Sequence, residues 1–376
     1  MLSFSSLKKR LAFPQTSWQL CLLAIVGGAA SALLIVAFLL SIRAIQSYYF
    51  IERDDYSSLD LVSRFDLPII GALIILFSAW LTGYKYLRTG IPFVLNRLKV
   101  AHGIIPLKNT LNQFWGSVAA LATGFSVGKE GPSVHLGAAC SSYIGSLLNL
   151  PYNSIRTLCA CGIAAGIAAT FNTPIAAVIF VMEVILRDYK IHIFIPVMLA
   201  ATVGSLITSS IFGSVHELEF FQKIALELIH YPYLVLLGIV LGFLGFIFNR
   251  YLILIIKHSK QLHIITRLML AALITGSLGI FVPAAMGTGL AGIEFSLTNP
   301  SMFTLLLVLL AAKLFMTISA LGLGIPGGII GPIVGIGAIA GVCFSAALLP
   351  VISSENLAND FALMGMAGFL AATLNA

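Results

Sequence analysis

The stretch Gly128-Lys129-Glu130-Gly131-Pro132-Ser133-Val134-His135-Leu136-Gly137-Ala138 returns without a gap as Gly328-Ile329-Ile330-Gly331-Pro332-Ile333-Val334-Gly335-Ile336-Gly337-Ala338. Gly128, Gly131, Pro132, Val134, Gly137 and Ala138 each find the same residue type two hundred positions on. A second match follows in the same order, residues 162–173 (GIAAGIAATFNT) on residues 365–376 (GMAGFLAATLNA). Glycine and alanine alone could mimic one match, but two in one order make the chain an internal duplication. In a membrane protein such repeats place a transport site near the bilayer midplane, between broken helices of the two halves.

The chain is built for a membrane. Of its 376 residues 59% are hydrophobic and 9% charged, with a mean hydropathy of +1.03; a soluble domain carries about 25% charged and about 45–50% apolar residues. Twenty-one Lys and Arg against 14 Asp and Glu give a net charge of +7, spread over short links between apolar runs, which fits membrane topology and not a nucleic-acid partner. The apolar runs lack strand alternation, so they read as helices and not as a barrel. Five cysteines, an odd number, lie in or beside apolar segments, and no His, Asp or Glu lies near the Cys159-x-Cys161 pair to complete a metal site. No cofactor is expected.

The run from Trp18 to Leu40 is too long for a signal peptide and long enough to span the bilayer. The link after it is acidic (Glu52, Asp54, Asp55, Asp60, Asp66), whereas the next carries Lys85, Arg88, Arg97 and Lys99. The positive-inside rule therefore places residues 1–17 in the cytoplasm. Residues 18–376 form one transmembrane domain, with a first repeat at about 67–213 and a second at about 231–376. Many of the remaining apolar segments are shorter than a full span and are separated by Gly/Pro clusters. Such broken helices are tolerated at membrane depth where they are buried or line a cavity.

Three breaks stand out: Gly90-Ile91-Pro92, Gly128 to Pro132, and Gly324 to Pro332. Proline suits the first turn of a following helix, so each break opens a helix N-terminus. Free N–H groups and the positive end of the helix dipole make an anion site there without a lysine that would hold the ion too tightly. Glu130 sits at one of these starts, and a carboxylate within the membrane is expensive enough to signal function. No second carboxylate, Ser/His pair or metal cluster accompanies it, so an enzyme is not indicated. Lys313 and His135 read as structural, and Glu183 as an ion-pair partner of Arg187.

With Gly128-Lys129-Glu130-Gly131-Pro132, the Gly-Ile-Pro at 90–92, Phe171-Asn172-x-Pro174 and Gly327 to Pro332, the sequence resembles the CLC family of chloride channels and chloride/proton antiporters from about residue 20 to its end. The resemblance implies an all-α polytopic membrane protein, an inverted repeat whose broken helices meet at the midplane. It implies a homodimer in the bacterial inner membrane, each subunit with its own pore for chloride and, in the antiporters, for protons. It casts Thr89 as the chloride-contacting hydroxyl, Ile329 and Ile330 as backbone donors and Glu130 as the gate, with Gly90, Ile91, Gly128, Lys129 and Gly131 completing the chloride site. Two departures count. The family's Gly-Ser-Gly-Ile-Pro reads Arg88-Thr89-Gly90-Ile91-Pro92, and Glu183-Val184 stands where antiporters carry two glutamates on the proton path. Valine there favours a channel, with an antiporter as the alternative and a non-conducting scaffold as a distant third. The second repeat stops at Asn375-Ala376 where proline should follow, which suggests a chain lacking its last helices.

Overall fold

The computed structural model describes residues 18–50, 54–187, 189–213, 221, 228–348 and 357–374. Its helices are α1 (Trp18–Gln46), α2 (Leu61–Thr82), α3 (Gly90–Val100), α4 (Leu107–Ala122), α5 (Glu130–Leu147), α6 (Tyr152–Phe171) and α7 (Pro174–Phe180), then α8 (Ile191–Phe212), α9 (Tyr231–Ser259), α10 (Ile264–Phe281), α11 (Leu290–Thr298), α12 (Phe303–Leu323), α13 (Ile330–Leu348) and α14 (Leu357–Leu374). Among the described residues nine helical spans are long and apolar enough to cross a membrane. The fold class is all-α and polytopic, as the composition requires.

Local chemistry sets the helix ends. Helix α2 begins at Leu61, ahead of the first repeat read from about residue 67, because Asp60 caps it: its carboxylate accepts from the Ser63 hydroxyl and from backbone N–H groups of the first turn, which holds its pKa below the ordinary value. Helix α4 begins at Leu107, well ahead of its most apolar stretch. Asn109, Asn112 and Gln113 disguise those first turns as a polar link. At the other end of α6, Asn172 takes the left-handed conformation (φ 54°), its N–H bonds the Ala168 carbonyl, and Pro174 opens α7. The Asn172 side chain accepts bonds from the hydroxyls of Ser205 (2.5 Å) and Ser209 (3.0 Å) on α8. The Phe-Asn-x-Pro element is thus a helix stop fastened to a neighbouring helix.

The chain divides into two compact units that interleave along the sequence. The first takes residues 1–42, 78–118 and 130–217, the second residues 43–77, 119–129 and 218–376. Within a bilayer apolar side chains gain nothing by leaving lipid, so helices associate through close van der Waals packing at small residues and through hydrogen bonds. In the first unit α5 crosses α6 at Gly137 and Gly162, where a methyl added to either glycine would run into the other's carbonyl oxygen. The Ser31 hydroxyl on α1 donates to the Gly137 carbonyl at 3.0 Å, and the hydroxyls of Ser133 and Thr170 meet at 2.6 Å. In the second unit α13 crosses α14 at Gly337 and Gly365 with the same reciprocal carbonyl contact. These are the glycines paired by the sequence repeat, so each copy of the duplication builds the same helix hairpin.

Gly137→Val and Gly337→Val should each cost about 1–3 kcal/mol, because the new side chain meets a backbone carbonyl that cannot move aside. Gly238→Ala on α9, where nothing lies within 4 Å, should stabilise the helix by up to about 1 kcal/mol. Thermal unfolding in detergent compares the three, and a Gly337→Val protein that melts like Gly238→Ala would refute the close crossing.

Candidate anion-transport site

Each of the three Gly/Pro breaks starts a helix: α3 at Gly90, α5 at Glu130 and α13 at Ile330. In all three, proline is the third residue, at Pro92, Pro132 and Pro332. The first turn of a helix has N–H groups without partners, and proline removes one of them at no cost.

In the first unit, Thr89 precedes α3 in an extended conformation (φ −143°, ψ −178°), and its hydroxyl does not cap the helix. Gly90 follows at φ 77°, a left-handed conformation that favours glycine. The Gly90 N–H, expected as a chloride donor, points elsewhere: it donates to Gln113 Oε1 of α4 at 2.5 Å. The Gln113 amide in turn donates to Ser117 Oγ at 2.5 Å. Asn109 Nδ2 holds the same loop through the carbonyls of Tyr86 (3.0 Å) and Arg88 (2.9 Å), and Asn112 Nδ2 donates to Thr82 Oγ1 at 2.6 Å. Three amides at spacings of three and four residues make one polar face of α4 that fixes the path into α3. They escape a motif search; their signal was three buried amides in helical register beside an apolar run.

Glu130 is the first residue of α5 and is 3% exposed. The positive end of the helix dipole favours its ionised form, while burial favours the neutral one. His135, five residues on, is fully buried and stacks on Phe93 of α3, with ring centroids 5.4 Å apart. Neither of its ring nitrogens has a hydrogen-bond partner among the described residues, so it is a core histidine, although not a hydrogen-bonded one. Glu183 and Val184 lie exposed on a π-helical turn, Val181–Leu186, that continues α7 and is closed by Arg187 at φ 54°.

In the second unit the loops before Glu130 and Ile330 are built alike. Helix α4 runs into Gly124 at φ 90° and α12 into Gly324 at φ 96°. The next residue's N–H reaches back to the same position in each helix, Phe125 to the Ala120 carbonyl (3.1 Å) and Ile325 to the Ala320 carbonyl (2.9 Å). The two loops then bond to each other. The Gly128 N–H donates to the Gly328 carbonyl at 2.8 Å and the Gly328 N–H to the Gly128 carbonyl at 2.7 Å. The Gly128 N–H, also expected at chloride, is thereby committed to the partner loop. The hydroxyls of Ser126 and Thr317 meet at 2.8 Å. Lys313, fully buried, donates to the carbonyls of Ala285 (2.9 Å), Met286 (3.4 Å) and Gly287 (2.8 Å), and the Gly287 N–H donates to the Gly124 carbonyl at 3.0 Å. A buried ammonium thus secures the strap that holds the first loop. Half-buried Ile329 and Ile330 open α13 directly after the bridge.

An all-helical fold with helices opened at Gly/Pro breaks defines an integral membrane protein of the broken-helix class. Residues 70–376 match the family model described as voltage gated chloride channel. The chain belongs to that family, the CLC proteins. It is 29% identical, over 94% of its length and 86% of the relative's, to the ClcB-like protein of Ralstonia nicotianae. It is 30% identical to the H(+)/Cl(-) exchange transporter ClcA of Vibrio parahaemolyticus, over 73% of this chain, and spans 60% of that relative's length. In fold it resembles a slow cyanobacterial Cl−/H+ antiporter, with a TM-score of 0.81 at 21% identity, covering 96% of this chain and 87% of the other. A CLC-type fluoride/proton antiporter gives 0.76 at 24% identity over 96% and 88%.

Gln113→Leu should strand the buried Gly90 N–H and destabilise the protein by about 1–3 kcal/mol. Gln113→Glu, which keeps an acceptor, should recover part of that loss. Equal melting of wild type and Gln113→Leu would remove Gln113 from the loop's support.

Proposed function

We propose that this protein exchanges chloride for protons across a membrane, as a homodimer with one pathway per subunit. The observation that carries the reading is Glu130: a carboxylate 3% exposed as the first residue of a helix, the end at which free N–H groups and the helix dipole favour an anion. Ionised, Glu130 occupies those donors and competes with chloride; protonated, it vacates them. One side chain therefore alternates between binding a proton and standing in for the anion, which is the elementary step of exchange.

With the Gly90 and Gly128 N–H groups engaged, chloride contacts fall to the Thr89 hydroxyl and to the N–H groups of Ile91, Gly131, Ile329 and Ile330, with Lys129 adding positive potential. Val184 alone favours a channel, but the relatives named as H(+)/Cl(-) exchange transporters favour the antiporter. Glu183, exposed on the π-helical turn beside Val184, then hands protons in from solution. The pathway lies in a bacterial inner membrane with residues 1–17 on the cytoplasmic side.

In proteoliposomes under a chloride gradient the wild type should drive protons uphill, and chloride flux should rise as pH falls because protonation removes the competitor. Glu130→Gln should conduct chloride without proton movement and without pH dependence; a mutant that behaves as wild type would sink the gate assignment. Chloride flux with no coupled proton movement in the wild type would return the protein to the channel reading. Thr89→Ala should weaken chloride binding by roughly 0.5–1.5 kcal/mol, the worth of one hydrogen bond, read by isothermal titration. Unchanged affinity would take Thr89 out of the site.

A further inference from the structure

In the first unit a groove of about 230 Å³ runs between the end of α2 and the start of α4, walled by Leu81, Leu111 and Trp115 and floored by Ser78, Thr82 and Asn112. Its walls are exposed (Leu81 63%, Leu111 42%, Trp115 52%), and α2 is one of the helices long and apolar enough to cross a membrane. Its accessible lining is apolar, and beneath it one polar atom is left without a partner. Asn112 is fully buried and donates to Thr82 Oγ1, while the Thr82 hydroxyl is already spent on the Ser78 carbonyl at 2.9 Å. Asn112 Oδ1 accepts nothing among the described residues. Leaving a buried amide oxygen bare is costly, so a donor is wanted there.

Two lysines lie next to the groove's residues along the chain, outside its lining. Lys108 lies on α4 one turn before Leu111 and Asn112, on the same helix face. Lys85 follows Thr82 by three residues in the link after α2. The ammonium groups of both sit over the ring of Tyr86, at 5.1 and 5.3 Å from its centroid. Asn109 holds the Tyr86 carbonyl against α4, one turn before Asn112. Two like charges gathered on one ring repel each other, and the sequence offers no local relief. From Leu67 to Lys129 the chain contains no Asp or Glu. Arg88 adds a third positive charge to the same link.

We propose that this groove binds one anionic phospholipid bearing headgroup hydroxyls, of the phosphatidylglycerol type: an acyl chain along Leu81, Leu111 and Trp115, the phosphate between Lys85 and Lys108, and a glycerol hydroxyl donating to Asn112 Oδ1. Basic residues at the lipid boundary each favour an anionic headgroup by about 1 kcal/mol, or roughly five-fold in partition. The link that carries the lysines continues into Thr89 and Gly90, so the lipid would rest against the approach to α3. The proposal uses only the membrane location of the chain and is independent of the ion carried.

Trp115 is a built-in reporter. With Trp18 and Trp80 replaced by Phe in the full-length protein, brominated phosphatidylglycerol in phosphatidylcholine vesicles should quench Trp115 more than brominated phosphatidylcholine at equal mole fraction. Lys85→Gln/Lys108→Gln, both at exposed positions, should cut that preference by at least five-fold, and Asn112→Leu should reduce it while leaving quenching by phosphatidylcholine unchanged. Equal quenching by the two lipids overturns the proposal, as does a preference that survives loss of both lysines. Excess inorganic phosphate should leave the preference intact; if it erases it, the site belongs to a free anion and the lipid assignment falls. Because the readout is lipid contact, a failure here is distinct from a failure of chloride transport.

Discussion

A helix that starts inside hydrocarbon exposes backbone N–H groups that nothing in the solvent can satisfy. Much of this structure is an answer to that constraint. Proline at the third position of α3, α5 and α13 deletes one donor outright. Gln113 takes a second, at Gly90, and the reciprocal bonds of Gly128 and Gly328 close the loop backbones just before the other two starts. What remains at each start is a small number of donors, which suits an anion that must bind and then leave.

The charges obey the same logic. A lysine buried in α12 would be prohibitive if unpaired, and Lys313 is instead wrapped by three carbonyls of the segment before α11. That segment reaches Gly124 through Gly287, so the cation braces a loop through the backbone alone. Glu130 is the contrast: it stands at a helix start, where ionisation and neutrality are each favoured by a different part of its surroundings.

The hydropathy and the two repeat matches made the helical membrane fold legible, and each of the three Gly/Pro breaks contains a helix start. Gly137 with Gly162 and Gly337 with Gly365 were visible as a repeat, although only the structure shows them as crossings. The supports were hidden for a physical reason. Hydrogen bonds such as Gly90 to Gln113, or Gly128 to Gly328, join residues far apart in the chain and leave no local periodicity to read. The continuation of the repeat upstream of Gly128 was legible but weak: Ala120, Leu121 and Gly124 recur as Ala320, Leu321 and Gly324, and these residues form the shared loop. Asn109, Asn112 and Gln113 are hidden for a related reason, since amides resemble a link in sequence where they are the inner face of a helix.

The reciprocal bond between Gly128 and Gly328 also sets a timetable for biogenesis. The two glycines leave the ribosome two hundred residues apart, an interval of about 10–40 s at ordinary elongation rates of about 5–20 residues per second. For that time the first loop has been synthesised and its partner has not. Its N–H and carbonyl must be met by water or by the insertion machinery until the second arrives. The closing of this bridge is therefore a late, post-insertion event, and a nascent chain interrupted before residue 328 would hold an open loop in front of Glu130.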